Sequence, residues 1–126
     1  MIIGTGVDIV EISRIKNAAI KWKKNFLKRI FTDNELLYSN ERTTSYQHLA
    51  ARFAAKEAVL KALGNGFTKR VEWKDIEVWN EKSGKPNVRV SGEVKRISKK
   101  LGVTDIIISM SHTRTYAVAN VILVKE

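Results

Sequence analysis

Apolar and polar positions change period several times along the chain, and each change predicts an element. Residues 2–10 alternate as a strand, with Ile3, Val7 and Ile9 on one face and Gly4, Gly6 and Asp8 on the other. A strand face made of two glycines and a carboxylate leaves room for something to approach the backbone closely. From residue 13 to 30 apolar residues recur at spacings of three and four. Ile15, Ala19, Trp22, Phe26 and Ile30 form the stripe of an amphipathic helix, with Ser13 in the N-cap place. A second short helix is expected from Thr32, because Thr32 followed by Glu35 has the capping-box spacing. Residues 47–63 give the clearest helix, alanine-rich and closed by Gly64 in the C′ place. Leu49, Phe53, Lys56, Leu60 and Leu63 make one seam of it, and Ala51, Ala55, Ala58 and Ala62 a row of small residues.

Residues 71–79 and 87–91 alternate like strands around a turn, Ser83-Gly84-Lys85-Pro86. Residues 92–101 predict a short helix with Val94, Ile97 and Leu101 inward. Residues 104–111 and 115–124 read as an antiparallel hairpin around His112-Thr113-Arg114. The order of elements predicts an α+β fold. A length of 126 residues and no Pro/Gly/Ser-rich linker predict a single domain over residues 1–126.

Composition narrows the chemistry. There is no cysteine, which excludes disulfides, thiolate metal sites and a cysteine nucleophile. The absence of a signal-like start, of a run of roughly 18 apolar residues and of cysteine favours a cytoplasmic, non-membrane protein. The 23 Lys+Arg against 13 Asp+Glu give a net charge of +10 and call for an anionic partner.

The cations are unevenly placed. From Ile12 to Thr32 there is no acid, while Arg14, Lys16, Lys21, Lys23, Lys24, Lys28 and Arg29 share the stretch with Trp22 and Phe26. Such a helix repels itself unless an anion docks. Nucleic acid, an anionic membrane and an acidic partner helix all compete for it.

Two carboxylates stand out because their elements are apolar: Asp8 in the first strand and Glu57 in the alanine-rich helix. Burying either costs several kcal/mol unless it is paired or metal-bound. Lys61, one turn after Glu57, could pair with it. Alternatively the two carboxylates meet as hard oxygen ligands, the arrangement in which Mg²⁺ is held against a polyphosphate. Lys56 interrupts an apolar seam and fits a solvated face poorly. Gly84-Lys85-Pro86 reads as a turn whose lysine could reach a phosphate if a pocket borders it. His112 could bind a phosphate oxygen, and His48 receives no role.

Taken together, Gly6-Val7-Asp8-Ile9-Val10 with Glu11 and Arg14, Phe31-Thr32 with Glu35, and Arg52-Phe53-Ala54-Ala55-Lys56-Glu57-Ala58 continuing to Lys61-Ala62-Leu63-Gly64 form an ordered set. Gly84-Lys85-Pro86 and Ser111-His112-Thr113 with Tyr116-Ala117 complete it. This set resembles the holo-acyl-carrier-protein synthase family over essentially the whole chain. The resemblance implies the 4′-phosphopantetheinyl transferase fold, a mostly antiparallel sheet packed against a long central helix, and a homotrimer with active sites at subunit interfaces. It implies transfer of 4′-phosphopantetheine from coenzyme A to a serine of an acidic acyl carrier protein, in fatty acid biosynthesis. It implies Mg²⁺ on Asp8 and Glu57, with Glu57, Lys61 and His112 catalytic. Arg52, Lys61, Gly84, Lys85, Pro86 and His112 would bind coenzyme A. Arg14, Lys21, Lys24, Phe26, Lys28 and Arg29 would receive the carrier protein. Nucleic acid and membrane then drop out as partners.

Overall fold

The computed structural model describes residues 1–40, 45–64 and 70–126. Its elements run β1 (Ile2–Glu11), α1 (Ile12–Ile30), α2 (Asp33–Asn40), α3 (Ser45–Leu63), a 3-10 turn (Trp73–Asp75), β2 (Ile76–Asn80), β3 (Pro86–Val90), α4 (Gly92–Leu101), β4 (Asp105–His112) and β5 (Tyr116–Val124). β1, β5 and β4 form one antiparallel sheet in that order, and β2 and β3 form a separate hairpin. The architecture is α+β, as the sequence predicts.

α3 is the centre of the core. Ala50, Ala54, Ala55, Ala58 and Val59 have no exposed surface, and Leu49, Leu60 and Leu63 are buried against Val10, Val121 and Leu123. A helix apolar on nearly every side belongs inside. The glycine face of β1 is what it packs on. A Cβ at Gly6 would overlap the Ala58 carbonyl oxygen and lie 2.9 Å from the Ala62 nitrogen; one at Gly4 would lie 2.5 Å from the Ala62 oxygen. The alanine row and the glycine face therefore meet backbone to backbone.

A second consequence is less expected. The apolar face of β1 is turned away from α3, leaving Val7 56% and Ile9 63% exposed. The strand register puts Tyr116, Val118 and Ile122 of β5 and Ile107 of β4 on that same face.

The capping box at α2 is present: the Thr32 N–H donates to Glu35 Oε1 at 2.9 Å and the Glu35 N–H to Thr32 Oγ1 at 3.3 Å. Glu35 also reaches into the core. Its Oε1 lies 2.9 Å from Lys56 Nζ, both side chains are fully buried, and its Oε2 accepts from the Val78 N–H at 2.9 Å. Lys56 Nζ further donates to the carbonyls of Trp73, at 3.2 Å, and Ile76. This network ties α2, α3 and β2 together. Burial pulls the Lys56 ammonium below its usual range, with Glu35 opposing.

Four local expectations change. Ser13 is not the N-cap; Glu11 is, without a side-chain bond, because the helix follows directly from β1 and the Ile12 N–H is taken by the Thr115 carbonyl at 2.9 Å. Trp22 is 58% exposed, since α1 breaks at Lys23 (φ 50°, ψ −132°) and the turn before the break lies outside the core. Residues 73–75 leave the strand pattern because Glu72 and Asp75 cap a 3-10 turn. Leu101, the last residue of α4 before the left-handed Gly102, is 42% exposed.

Candidate active site

The close contact of β1 and α3 sets the site. Asp8 lies two residues beyond Gly6, and Glu57 and Lys61 flank Ala58 and Ala62, which that glycine face touches. Lys61 Nζ donates to Asp8 Oδ1 at 2.8 Å and to the Val7 carbonyl at 3.2 Å. The ammonium thus pairs across elements with Asp8, rather than along the helix with Glu57. Asp8 is buried and Glu57 half-buried. Their carboxyls are near enough to share a hydrogen bond when one is protonated. Burial first, then the Asp8 charge, pushes the Glu57 carboxyl above its usual range, with Lys61 and Arg14 opposing.

Two carboxylates in this relation repel unless a proton or cation lies between them. Among the described residues no third carboxylate, histidine or cysteine joins the pair. Mg²⁺ commonly takes one or two carboxylates and completes its shell with water and phosphate oxygens. The donor set fits that requirement.

A cleft of about 190 Å³ gathers residues from α2, α3, β2, β3, β4 and the β2–β3 turn, among them Tyr38, His48, Arg52, Gly84, Pro86 and His112. Arg52 is 1% exposed. Its guanidinium lies 4.2 Å over the Tyr38 ring, and Nη2 donates to Asn80 Oδ1. Asn80 Nδ2 in turn donates to the Gly84 carbonyl at 3.0 Å, which ties the β2–β3 turn to the buried arginine. Gly84 sits at φ +95°, a conformation glycine adopts without a Cβ penalty. Arg52, Gly84, Pro86 and His112 are therefore brought together, while exposed Lys85 is not among the residues lining the cleft. His112 shares a sheet face with Asp8, two strands and two residues away; at about 4.8 Å per strand and 3.3 Å per residue their backbones are roughly 12 Å apart.

Arg14, Lys21, Lys24, Lys28 and Arg29 all lie exposed along α1, and Phe26 is partly buried against the core. Ile20 and Trp22 are exposed among these cations, with Lys21 Nζ 5.0 Å from the Trp22 ring. Arg14 is the one near enough to act on Glu57. No helix among the described residues is long and apolar enough to cross a membrane.

The model of the 4′-phosphopantetheinyl transferase superfamily matches residues 4–121. The chain belongs to this superfamily. Holo-[acyl-carrier-protein] synthase of Solibacter usitatus is 43% identical over 98% of both chains. The crystal structure of holo-[acyl-carrier-protein] synthase from Neisseria meningitidis superposes with a TM-score of 0.89 at 34% identity, covering 99% of this chain and 100% of that one. The Bacillus anthracis holo-(acyl-carrier-protein) synthase, solved in complex with CoA (3′,5′-ADP), gives 0.81 at 37% identity over 100% and 99% of the two chains.

Against that membership the cleft holds three residues to which no sequence signal assigned a part: Tyr38, His48 and Asn80. Only His48 left a trace, since it stands one turn before Arg52 on the same helix and so on the same face.

Proposed function

We infer that the chain transfers the 4′-phosphopantetheine group of coenzyme A to a serine of an apo acyl carrier protein, releasing adenosine 3′,5′-bisphosphate. The observation that carries the mechanism is the meeting of Asp8 and Glu57 beside Lys61. In this reading Asp8 and Glu57 hold Mg²⁺, which when bound offsets charge on the coenzyme A diphosphate. The serine oxygen forms the new bond to the phosphorus that bears pantetheine, and the bond from that phosphorus to the bridging oxygen breaks. Glu57, directly or through a water, accepts the serine proton as general base. Lys61 places a fixed positive charge where the diphosphate gathers negative charge.

Arg52, His112 and the Gly84–Pro86 turn receive the nucleotide end, with Lys85 reaching from the rim. One extended ligand can span the two parts along the shared sheet face. The exposed cations of α1, with Ile20 and Trp22 between them, offer charge and apolar contact to an acidic carrier protein. The homotrimer finds support in Val7, Ile9, Ile107 and Tyr116, which lie exposed on one sheet face, an apolar surface that a second copy would cover. A cytoplasmic location follows from these substrates.

Incubation of an apo carrier protein with coenzyme A, Mg²⁺ and the enzyme, read by mass spectrometry, tests the reading. The phosphopantetheine mass should appear on the serine with wild type and not with Glu57→Gln. Full turnover of Glu57→Gln at saturating Mg²⁺ would remove Glu57 from both metal and base roles.

A further inference from the structure

We propose that the cleft between β3, α4 and β4 is a second ligand site, which takes a short-chain amphipathic carboxylate with its head on Ser98, Lys95 and Lys99. The proposal does not depend on the functional reading above. The cleft measures about 230 Å³ and shares no residue with the Arg52 cleft or with the Asp8–Glu57 pair. α4 carries an apolar stripe at Val94, Ile97 and Leu101, and Ser98 stands inside that stripe, one turn after Val94. Ser98 is 5% exposed, and its Oγ is buried without a hydrogen-bond partner among the described residues. A helical serine can satisfy itself on the carbonyl one turn back, and that bond is not made here. An unpaired buried hydroxyl is a standing cost to the fold. Lys95 is three residues before Ser98 and four before Lys99, so the three side chains share one side of α4, and all three line the cleft.

The other groups in the cleft narrow the ligand. Val88, Val90, Val103 and Ile106 give it apolar walls. Ile106 leaves β4 on the side opposite Ile107, so the cleft lies off the apolar sheet face that a second copy would cover. Lys95 and Lys99 are exposed, and neither has an ion-pair partner among the described residues. Asp105 also lines the cleft, and its Oδ1 accepts from the Ile106 N–H at 2.8 Å. The Thr104 hydroxyl is spent: it donates to the Val124 carbonyl and accepts from the Glu126 N–H, each at 3.1 Å. Two lysines against one lining acid favour an anion, and the valines favour an alkyl body. A hydroxyl that donates to a carboxylate oxygen makes a charge-assisted bond, stronger than one to a neutral acceptor. About 230 Å³ holds some seven waters at ~30 Å³ each, the room that roughly six carbons and a carboxylate need. Bound there, the carboxylate accepts from the Ser98 O–H and a lysine ammonium while the chain lies along the valines.

The competing view is that an ordered water alone satisfies Ser98. Hexanoate, 1-hexanol and acetate separate the two. Each is titrated into the isotope-labelled full chain and followed by backbone amide shifts, for wild type, Ser98→Ala and the double variant Lys95→Met, Lys99→Met. In wild type hexanoate should saturate, with shifts centred on Ser98, Val103 and Ile106. Hexanol keeps the chain and lacks the charge, and should bind about tenfold more weakly. Acetate, which lacks most of the chain, should bind about a hundredfold more weakly. Ser98→Ala should weaken hexanoate about tenfold, as expected for a lost bond to a charged group. Its melting temperature should equal or exceed that of wild type, since a methyl leaves nothing unpaired and alanine favours the helix. The lysine variant, whose substitutions are on the surface, should bind hexanoate and hexanol alike. Failure of hexanoate to saturate, equal affinity for hexanoate and hexanol in wild type, or unchanged hexanoate affinity in Ser98→Ala overturns the proposal. A lower melting temperature for Ser98→Ala would show that the hydroxyl has a partner within the fold, and overturns it too. Shifts centred on Arg52 and His112, with hexanoate displaced by coenzyme A, would put the binding in the cleft already described and sink the second site.

Discussion

Replacing Lys56 with Met is the sharpest test of how the core holds the fully buried Lys56–Glu35 ion pair. Met conserves most of the side-chain volume, so the change is chiefly electrostatic. In the wild type Lys56 Nζ meets Glu35 Oε1 at 2.9 Å and donates to the Trp73 and Ile76 carbonyls, with both side chains at 0% exposure. Removing the ammonium leaves the Glu35 carboxylate buried, and an uncompensated buried charge costs about 3–5 kcal/mol. The Thr32 and Val78 N–H groups still bond Glu35, which keeps the loss near the lower figure, ~3 kcal/mol. The Trp73 carbonyl keeps its bond from the Ile76 N–H, and the loss of the ammonium from the Ile76 carbonyl adds about 1 kcal/mol. A total of roughly 4 kcal/mol is a large share of the 5–15 kcal/mol of an ordinary domain. At about 3–4 °C per kcal/mol for this size, the melting temperature should fall by roughly 12–16 °C.

Urea unfolding followed by circular dichroism measures this, with Glu35→Leu and the double variant completing a cycle. The double variant removes both charges and should recover to within about 2 kcal/mol of wild type. A second signature is the pH dependence. Burial holds the Lys56 pKa below its unfolded value, so between the two the unfolded chain binds more protons and stability climbs with pH. Lys56→Met should lack that alkaline climb. A loss under about 1 kcal/mol, or single effects that simply add, would refute the account of the pair.

Three further outcomes follow. The raised Glu57 pKa means the folded protein holds that proton more tightly, so a stability contribution complete below about pH 4.3 is lost as pH rises through the folded value. Glu57→Gln should not show this loss, and Mg²⁺ should raise the melting temperature of wild type near pH 7.5 but not of the variant, by differential scanning fluorimetry. Gly6→Ala forces a methyl into the Ala58 carbonyl and should cost at least 1–3 kcal/mol in a thermal melt. Lys23 adopts a backbone conformation that L residues rarely take, so Lys23→Gly should stabilise by up to ~1 kcal/mol, whereas Lys21→Gly in the same helix should cost about 1 kcal/mol.

Local signals carried much of the fold. Thr32 with Glu35 announced a helix start, Gly64 a helix end, and Gly84-Lys85-Pro86 a tight turn, because each satisfies its own backbone within a few residues. The readings that changed were those needing a neighbour. Trp22 keeps helical spacing, yet its exposure depends on a break at Lys23 that nothing in the apolar period marks. Val7 and Ile9 alternate as a core face would, but the glycine face took α3 and turned them outward. Lys56 was visible as a misfit in its seam, while its partner Glu35 lies 21 positions away. His48, Tyr38 and Asn80 come from three elements and share no spacing that would join them.

The chemistry and the packing are not separable here. Asp8 has a short side chain on a strand, and Glu57 sits beside the alanine that the strand touches. Their carboxyls can meet only because β1 and α3 approach at backbone distance, and that approach exists only because Gly4 and Gly6 carry no Cβ. A residue with no functional group therefore governs the geometry of one that has it. Gly6→Ala should lower kcat/KM by more than its stability loss explains, since any outward shift of β1 carries Asp8 and the Val7 carbonyl away from Lys61. Measured well below its melting temperature, a Gly6→Ala protein with full activity would show that side-chain adjustment, and not backbone contact, sets the spacing of the pair.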